Sequence, residues 1–159
     1  MNKFTRILIT STLIAMTGTT ALAIDVEDTI KARQSFMQVY KFNLGLVGNM
    51  AKGKTEYNAE IAQNAADNLL ALSKMKNGPM WPQGSSKSDR GLMEKTNALP
   101  ETWTTWPRVS ERHADLTSAL EDFSKVAGKD LNSLRGGMKS VGDGCKGCHK
   151  DFRAKEKKE

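Results

Sequence analysis

The chain repeats apolar residues at spacings of three and four in four separate stretches, which is the period of an amphipathic helix. The first predicted helix begins after Asp25, a suitable cap, and runs to about Lys52, where Gly53 suits the C-terminal stop. Its stripe consists of Val26, Ile30, Arg33, Met37, Tyr40, Leu44 and Val47. Arg33 is a cation on an otherwise apolar stripe, and a buried cation needs a partner.

Two further helices are predicted in the middle of the chain. One runs from the cap Asn58 to about Lys76, and its stripe consists of Ile61, Ala65, Leu69 and Leu72. The other begins near Pro100 and ends by Gly128, and its stripe consists of Val109, Leu116, Leu120 and Phe123. Because Pro107 lacks a backbone N–H, we expect a kink or a restart of this helix at that residue.

The fourth predicted helix carries both cysteines of the chain on its apolar stripe. After the cap Asp130, the stripe consists of Leu131, Leu134, Met138, Val141, Cys145, Cys148 and Phe152. These residues alternate strictly between spacings of three and four. The cysteines therefore continue the face of the last helix that we expect to be buried.

Four amphipathic helices with two short connections and one long connection predict an all-α fold, an antiparallel up-down four-helix bundle. The long connection, residues 77–99, is rich in Gly, Pro, Ser, Lys and Asp. Connections of this length are uncommon unless they are functional or packed over another part of the protein. We expect one of these two roles here.

The N-terminal residues 1–23 have the features of a secretory signal peptide. Lys3 and Arg6 form a positive start, residues 7–16 are largely apolar, and Ala-Leu-Ala at positions 21–23 matches a cleavage site. We predict cleavage after Ala23, a periplasmic location and a single mature domain over residues 24–159. The alternative is an N-terminal anchor helix, but the apolar run is too short to span a bilayer.

The chain has 24 basic and 18 acidic residues, a formal net charge of +6. Removal of Lys3 and Arg6 with the signal peptide leaves 22 basic residues and a net charge of +4. Much of this excess lies in the tail after Phe152, where a run of lysines is typical of a solvated helix end. Without a recognition motif we expect no nucleic-acid partner. No second apolar run is long enough for the mature chain to span a membrane.

The stretch CKGCH, from Cys145 to His149, is the C-x-x-C-H pattern of covalent haem c attachment. Two thiols at this spacing add across the two vinyl groups of the porphyrin, and the next residue offers an imidazole to the iron. On a helix, His149 is rotated by only about 40° from Cys145, so both reach the same side.

Other chemistries explain these residues less well. A structural zinc site needs four ligands, and His113, on a polar stretch of the third predicted helix, is the only other histidine. A thioredoxin-like pair needs a preceding strand, which the pattern does not contain. A disulfide between cysteines three residues apart closes too short a loop to contribute much stability.

Four stretches, IKARQSFM, AKGKTEYNAE, LPETW and GCKGCHKDFR, span nearly the whole predicted mature chain. Together they resemble the class II c-type cytochromes, the family of cytochrome c′ and its low-spin relatives of the c-556 type. The resemblance implies one haem c per chain in the core near the last helix. It also implies that Cys145 and Cys148 carry the thioethers and that His149 is the axial iron ligand.

The resemblance also implies roles for residues outside the CKGCH stretch. Arg33 and Gln34 match a pair beside a haem propionate, and Arg153 matches a basic residue on the proximal side. Two simpler interpretations are that Arg33 reaches solvent from the edge of its stripe and that Arg153 is an ordinary helix-end cation. The segment SSKSDRGLMEK in the long connection departs from the shorter cytochrome c′ pattern, so that pattern does not assign the residues that line the propionate edge.

Met37 matches the position that faces the open side of the haem. Arg33 and Gln34 favour cytochrome c′, with a five-coordinate iron that transfers electrons or binds small gases such as NO or CO. The alternative is a low-spin c-556 electron carrier with Met37 as sixth ligand, since a thioether bond fills the sixth position and raises the potential. A third interpretation is that Met37 is merely a core residue.

The predicted distal stripe is apolar, which does not favour an enzyme. Peroxidases use a polar distal pocket with a histidine or an arginine, whereas this stripe offers Phe36, Met37, Tyr40 and Leu44. A haem-free interaction bundle is a further alternative. The resemblance implies a homodimer through the first helix, where Gly45, Gly48 and Asn49 are small enough for a close approach. The sequence does not identify the redox partner.

Overall fold

The computed structural model describes residues 25–155, and the predicted signal peptide lies outside them. The elements are α1 (Val26–Ala51), α2 (Ala59–Lys74), α3 (Glu101–Thr104), α4 (Trp106–Ser124) and α5 (Leu131–Phe152), with a single 3-10 turn at Gly78–Met80. The helix α1 packs against α2 and α5, and α4 packs against the same two helices. This closed arrangement is the predicted antiparallel four-helix bundle, with α3 as a short turn that leads into α4.

The predicted N-terminal caps are confirmed. The side chains of Asp25, Asn58 and Asp130 accept backbone N–H groups at 2.7, 2.9 and 2.9 Å. Each cap satisfies a donor that the first helical turn leaves without a partner. Gly53 has a φ of 69° just beyond α1, a conformation that glycine adopts without the penalty of a Cβ atom.

The third predicted helix is divided in two. Thr105 separates α3 from α4 with φ −123° and ψ 49°, which is outside the helical range. Pro107 lies in the first turn of α4, where its missing N–H removes no intrahelical hydrogen bond. The predicted restart at this proline is confirmed.

The core lies between the four long helices. Its buried members come from all of them and from the turn after α4: Val47 and Met50; Ala62, Ala65, Ala66 and Leu69; Leu120, Phe123 and, in the turn, Ala127; Leu134 and Val141. One prediction was wrong, because Ile61 is 44% exposed. The adjacent Ala62 is buried instead, so α2 turns its small alanines towards its neighbours.

The long connection is packed over another part of the protein, which confirms one of the two expectations. Its contacts centre on the Arg33 side chain of α1. Arg33 is 3% exposed. Its guanidinium donates to the Ser85 hydroxyl at 2.8 Å, to the Ser85 carbonyl and to the Thr96 hydroxyl at 3.1 Å. The rings of Trp81 and Trp103 lie 4.8 and 5.8 Å from the guanidinium carbon, within the range of cation–π attraction.

The other end of the connection is attached to the C-terminal end of α5. The Leu99 N–H donates to the Phe152 carbonyl at 2.9 Å, and the Ala154 N–H donates to the Asn97 carbonyl at 2.8 Å. These two bonds form an isolated antiparallel bridge between Ala98 and Arg153. The connection therefore joins α1 to the residues that follow CKGCH.

We expect the substitution Arg33→Met to lower the free energy of unfolding by about 2–4 kcal/mol, because buried acceptors of a charged donor lose their partner. Arg33→Lys should restore little of it, since an ammonium group does not reproduce the planar set of donors. Denaturant unfolding measures both, with the exposed Arg90→Met as the control. A loss for Arg33→Met no larger than that of the control would contradict this assignment.

Candidate haem-binding site

Cys145, Cys148 and His149 lie in the last two turns of α5. Both cysteines are free thiols and partly buried. Cys145 packs against the core cluster, as does Tyr40 from α1. His149 is more exposed and, four residues after Cys145, is rotated from it by about 40°.

The surroundings hold the three groups in their neutral forms. Burial raises the pKa of both thiols, and the charge of Asp151 raises the pKa of Cys148 further. Partial burial lowers the pKa of His149, and the positive charge of Arg153 adds to the effect. A neutral imidazole has a free lone pair, which iron ligation requires.

The side of α5 that faces α4 is closed by direct packing. A Cβ atom on Gly144 would lie 3.1 Å from the Leu116 Cα, and one on Gly147 would lie 3.2 Å from an Arg112 guanidinium nitrogen. Both glycines therefore allow α4 to approach α5 closely. Any group that the cysteines hold must lie on another side of α5.

A polar clamp holds the same two helices together beside the cysteines. The Asp151 carboxylate accepts from Arg112 Nε at 2.9 Å, and Arg108 Nε lies 3.5 Å from the same oxygen. These cations lower the pKa of Asp151, chiefly through the Arg112 hydrogen bond. The clamp restrains the rotation of α5 about its axis, and with it the direction in which the thiols point.

The residues fit a covalent haem better than a metal ion. Two free thiols and one imidazole share a helix end, with the edge-to-face pair Phe36 and Tyr40, 5.3 Å between ring centres, on α1. Burial raises the pKa of Tyr40, with a smaller contribution from Cys145, so the phenol is neutral. Within residues 25–155, no three His, Cys, Asp or Glu side chains are grouped to hold a metal ion.

The other predicted site residues occupy distinct places. The Gln34 amide donates to the Lys95 carbonyl at 2.8 Å, so Gln34 and Arg33 both bind the long connection. Met37 is 41% exposed on α1. Arg153 is the C-terminal cap of α5, with an extended backbone. The propionate-side roles of Arg33 and Gln34 and the proximal role of Arg153 stay predictions. The interpretation that Arg33 reaches solvent was wrong.

Sequence reasoning missed the partners of these residues. Ser85 and Thr96 bind Arg33 across more than fifty residues of chain, and the Arg112–Asp151 pair joins α4 to α5. The sequence offered a signal only for the partners of Arg33, because it contains both a cation on an apolar stripe and an unusually long polar connection.

Comparisons with known proteins agree with this geometry. The family model described as cytochrome C′ matches residues 28–153. A cytochrome c-554 from Cereibacter sphaeroides is 36% identical over 131 residues, which cover 82% of this chain and 96% of the relative.

Two solved structures carry the same fold. A cytochrome c′ from Rhodobacter Spheriodes superposes with a TM-score of 0.78 at 28% identity and covers 84% of this chain and 100% of its own. The nitric oxide complex of a point mutant of cytochrome c prime from Alcaligenes xylosoxidans superposes with a TM-score of 0.70 at 25% identity and covers 83% and 98%.

We expect Gly144→Ala to lower the free energy of unfolding by about 1–3 kcal/mol, because the new methyl group meets the α4 backbone. The matched control is Gly142→Ala on the same helix, where a Cβ atom meets nothing within 4 Å. The control should raise the free energy of unfolding by about 0.5–1 kcal/mol, the difference in helix propensity. Thermal or denaturant unfolding measures both, and effects of the same sign would contradict the close packing of α4 on α5.

Proposed function

The chain belongs to the cytochrome c′ family, and from that premise we propose that it is a periplasmic mono-haem cytochrome that transfers single electrons and binds small gases such as NO or CO. The observation that carries the proposal is the placement of CKGCH. Cys145 packs on the bundle core, and His149 lies on the adjoining face of the same helix end. The cofactor is covalent haem c, as in the family.

The haem, when bound, supplies an iron that changes its charge by one electron and has an axial position for a ligand. The chain's own residues hold and orient it. Cys145 and Cys148 bind the ring through thioethers, and His149 binds the iron. The Arg112–Asp151 clamp and the close approach at Gly144 keep these groups in a fixed orientation.

We assign the iron five-coordination, with Met37 near its open side but not bonded to it. The adjacent pair Arg33 and Gln34 matches the cytochrome c′ pattern, which favours this coordination. The nitric oxide complex of a point mutant of the Alcaligenes xylosoxidans relative supports a gas-binding role.

The surroundings favour a carrier and gas binder over an enzyme. Phe36 and Tyr40 are aromatic, and Tyr40 is neutral because burial raises its pKa. The guanidinium of Arg33 is hydrogen-bonded to the long connection, and His113 lies on α4, on a polar stretch of that helix. None of these is a histidine or arginine placed for proton transfer as in peroxidases.

The exported form is proposed to be residues 24–159 as a homodimer. Among residues 25–155, no helix has both the length and the apolar content that crossing a bilayer requires. Val39 and Phe42 on α1 are 47% and 66% exposed. The residues that line an open groove between α1 and α2 include Val39 and Met75. A second copy packed on this face would remove that apolar surface from water.

We expect the protein exported from a host with haem c maturation to have the mass of residues 24–159 plus one haem. The double substitution Cys145→Ser/Cys148→Ser should remove the covalent mass, because no thioether forms. Denaturing mass spectrometry measures this, and native mass spectrometry of the same sample should give twice the mass. A colourless wild-type protein with the mass of its amino acids alone would refute the proposal, and a solely monomeric one would refute the dimer.

We expect Met37→Ala to leave the visible spectra of the oxidised and reduced protein unchanged in spin state, because Met37 is not an iron ligand. His149→Ala is the positive control and should change both spectra. Loss of a sulfur-to-iron charge-transfer band in Met37→Ala, or low-spin features in the wild type, would instead establish the c-556 alternative.

A further inference from the structure

We propose that a basic stripe on α5 is the docking surface for an acidic patch on a protein redox partner. The stripe consists of Arg135, Lys139, Lys146 and Lys150 on the helix, and it ends with Arg153 at the C-terminal cap. The inference rests on the proposed function, since it concerns the route by which electrons enter or leave the haem held by the same helix.

The helical positions place the first four of these residues on one side of α5. They follow one another at spacings of four, seven and four, so at about 100° per residue they fall within roughly 60° of arc. All five residues are exposed. From Arg135 to Lys150 the stripe extends for about 22 Å at 1.5 Å per residue.

The stripe adjoins the face of α5 that carries the iron ligand. His149 lies about 60° to one side of Lys146 in angular position, and Cys145 lies about 40° beyond His149. The buried Leu134 and Val141 are on the opposite side of the helix. A partner that covers the stripe therefore lies beside the face of α5 that carries His149, the proposed iron ligand.

The carboxylates of α5 leave the positive charge of the stripe largely in place. The helix contains Asp143 and Asp151. Asp151 faces α4, where it is paired with Arg112. Asp143 pairs with Lys139 at 3.0 Å, so neither carboxylate of α5 is paired with Lys146 or Lys150, which lie on either side of His149 in sequence.

The neighbouring helix has the opposite balance. Arg108 and Arg112 are the basic residues of α4, and its acidic residues are Glu111, Asp115, Glu121 and Asp122. With four basic and two acidic residues, α5 therefore has a net charge of +2, whereas α4 beside it has a net charge of −2. An asymmetric field of this kind steers and orients an oppositely charged protein during encounter.

Gly142, at the edge of the stripe, leaves the surface of α5 without a side chain at that point. A Cβ atom on Gly142 would meet nothing within 4 Å, so packing within the bundle does not require a glycine there, although glycine is unfavourable inside a helix. Gly142 lies between the stripe and His149 in angular position. The absence of a side chain at this point allows a partner to approach the helix backbone closely.

The chemistry of the stripe fits a protein better than a membrane. An amphipathic helix that binds a lipid surface has apolar side chains beside its cations, and these insert between the lipids. The exposed residues of α5 outside the stripe are polar or glycine: Asn132, Gly136, Ser140, Gly142, Asp143 and His149. Carboxylates on a folded partner satisfy the lysines without any insertion.

The test compares two double variants with the same change in net charge. Lys146→Glu/Lys150→Glu reverses the stripe, whereas Lys54→Glu/Lys129→Glu reverses exposed residues in turns at the other end of the bundle. Reduced holoprotein gives one electron to hexacyanoferrate(III), which becomes hexacyanoferrate(II). At low ionic strength, stripe reversal should slow this reaction about tenfold. The distant reversal should slow it by no more than roughly twofold, since separated surface charges are screened.

With the cationic oxidant tris(1,10-phenanthroline)cobalt(III), the stripe variant should instead react faster than the distant variant. Binding of poly-L-glutamate, followed by amide chemical shifts, should centre on the stripe and weaken in the stripe variant. This binding does not depend on the haem, so it tests the surface even in a colourless protein, in which only the proposed function has failed. If Lys146→Glu impairs haem attachment, Lys139→Glu/Lys150→Glu replaces it.

Three outcomes would overturn the proposal. Equal slowing by both double variants would show that net charge acts without a local surface. Glutamate-induced shifts away from α5 would place the acidic-partner site elsewhere. Co-sedimentation of the wild type, but not the stripe variant, with phosphatidylglycerol vesicles would make the stripe a membrane contact instead.

Discussion

The packing of α5 into the core is the constraint on which the fold and the site both depend. Leu134 and Val141 are fully buried, and Cys145 continues their face into the half-buried end of the helix. The same apolar stripe that stabilises the bundle therefore directs the first thiol. Because α4 closes one side of α5 at Gly144, the rotation of the helix is restricted. A group bound by CKGCH must therefore lie on one of the remaining sides of the helix.

Arg33 shows how the long connection depends on that bundle. A buried guanidinium is unfavourable unless its donors are satisfied, and desolvation lowers its pKa. The hydroxyls of Ser85 and Thr96 and the Ser85 carbonyl satisfy these donors, which orders a segment with almost no regular structure. The connection then bonds to Phe152. A polar interaction on α1 thus restrains the backbone three residues after His149, the proposed axial ligand.

Most of the fold was predictable from local rules, and most of the contacts between distant segments were not. Caps such as Asp25 and Asn58, and the restart at Pro107, depend on a few neighbouring residues. Ile61 was misplaced because periodicity does not distinguish a stripe of Ile from the adjacent stripe of Ala. Which donor in a long connection meets Arg33 depends on the path of the chain, which periodicity does not determine. The motif CKGCH was readable because its chemistry lies within five consecutive residues.

The composition of α5 shows that tertiary contacts, rather than intrinsic propensity, maintain this helix. It contains five glycines, at positions 136, 137, 142, 144 and 147, and each costs about 1 kcal/mol relative to alanine inside a helix. Three of them are explained by close neighbours: Phe123 at Gly137, Leu116 at Gly144 and Arg112 at Gly147. The close packing at the α4–α5 interface therefore requires glycines, which lower the helix propensity of α5. The same packing offsets that loss. A helix with so little stability of its own keeps its thiols and imidazole in register only while the rest of the bundle is folded around it.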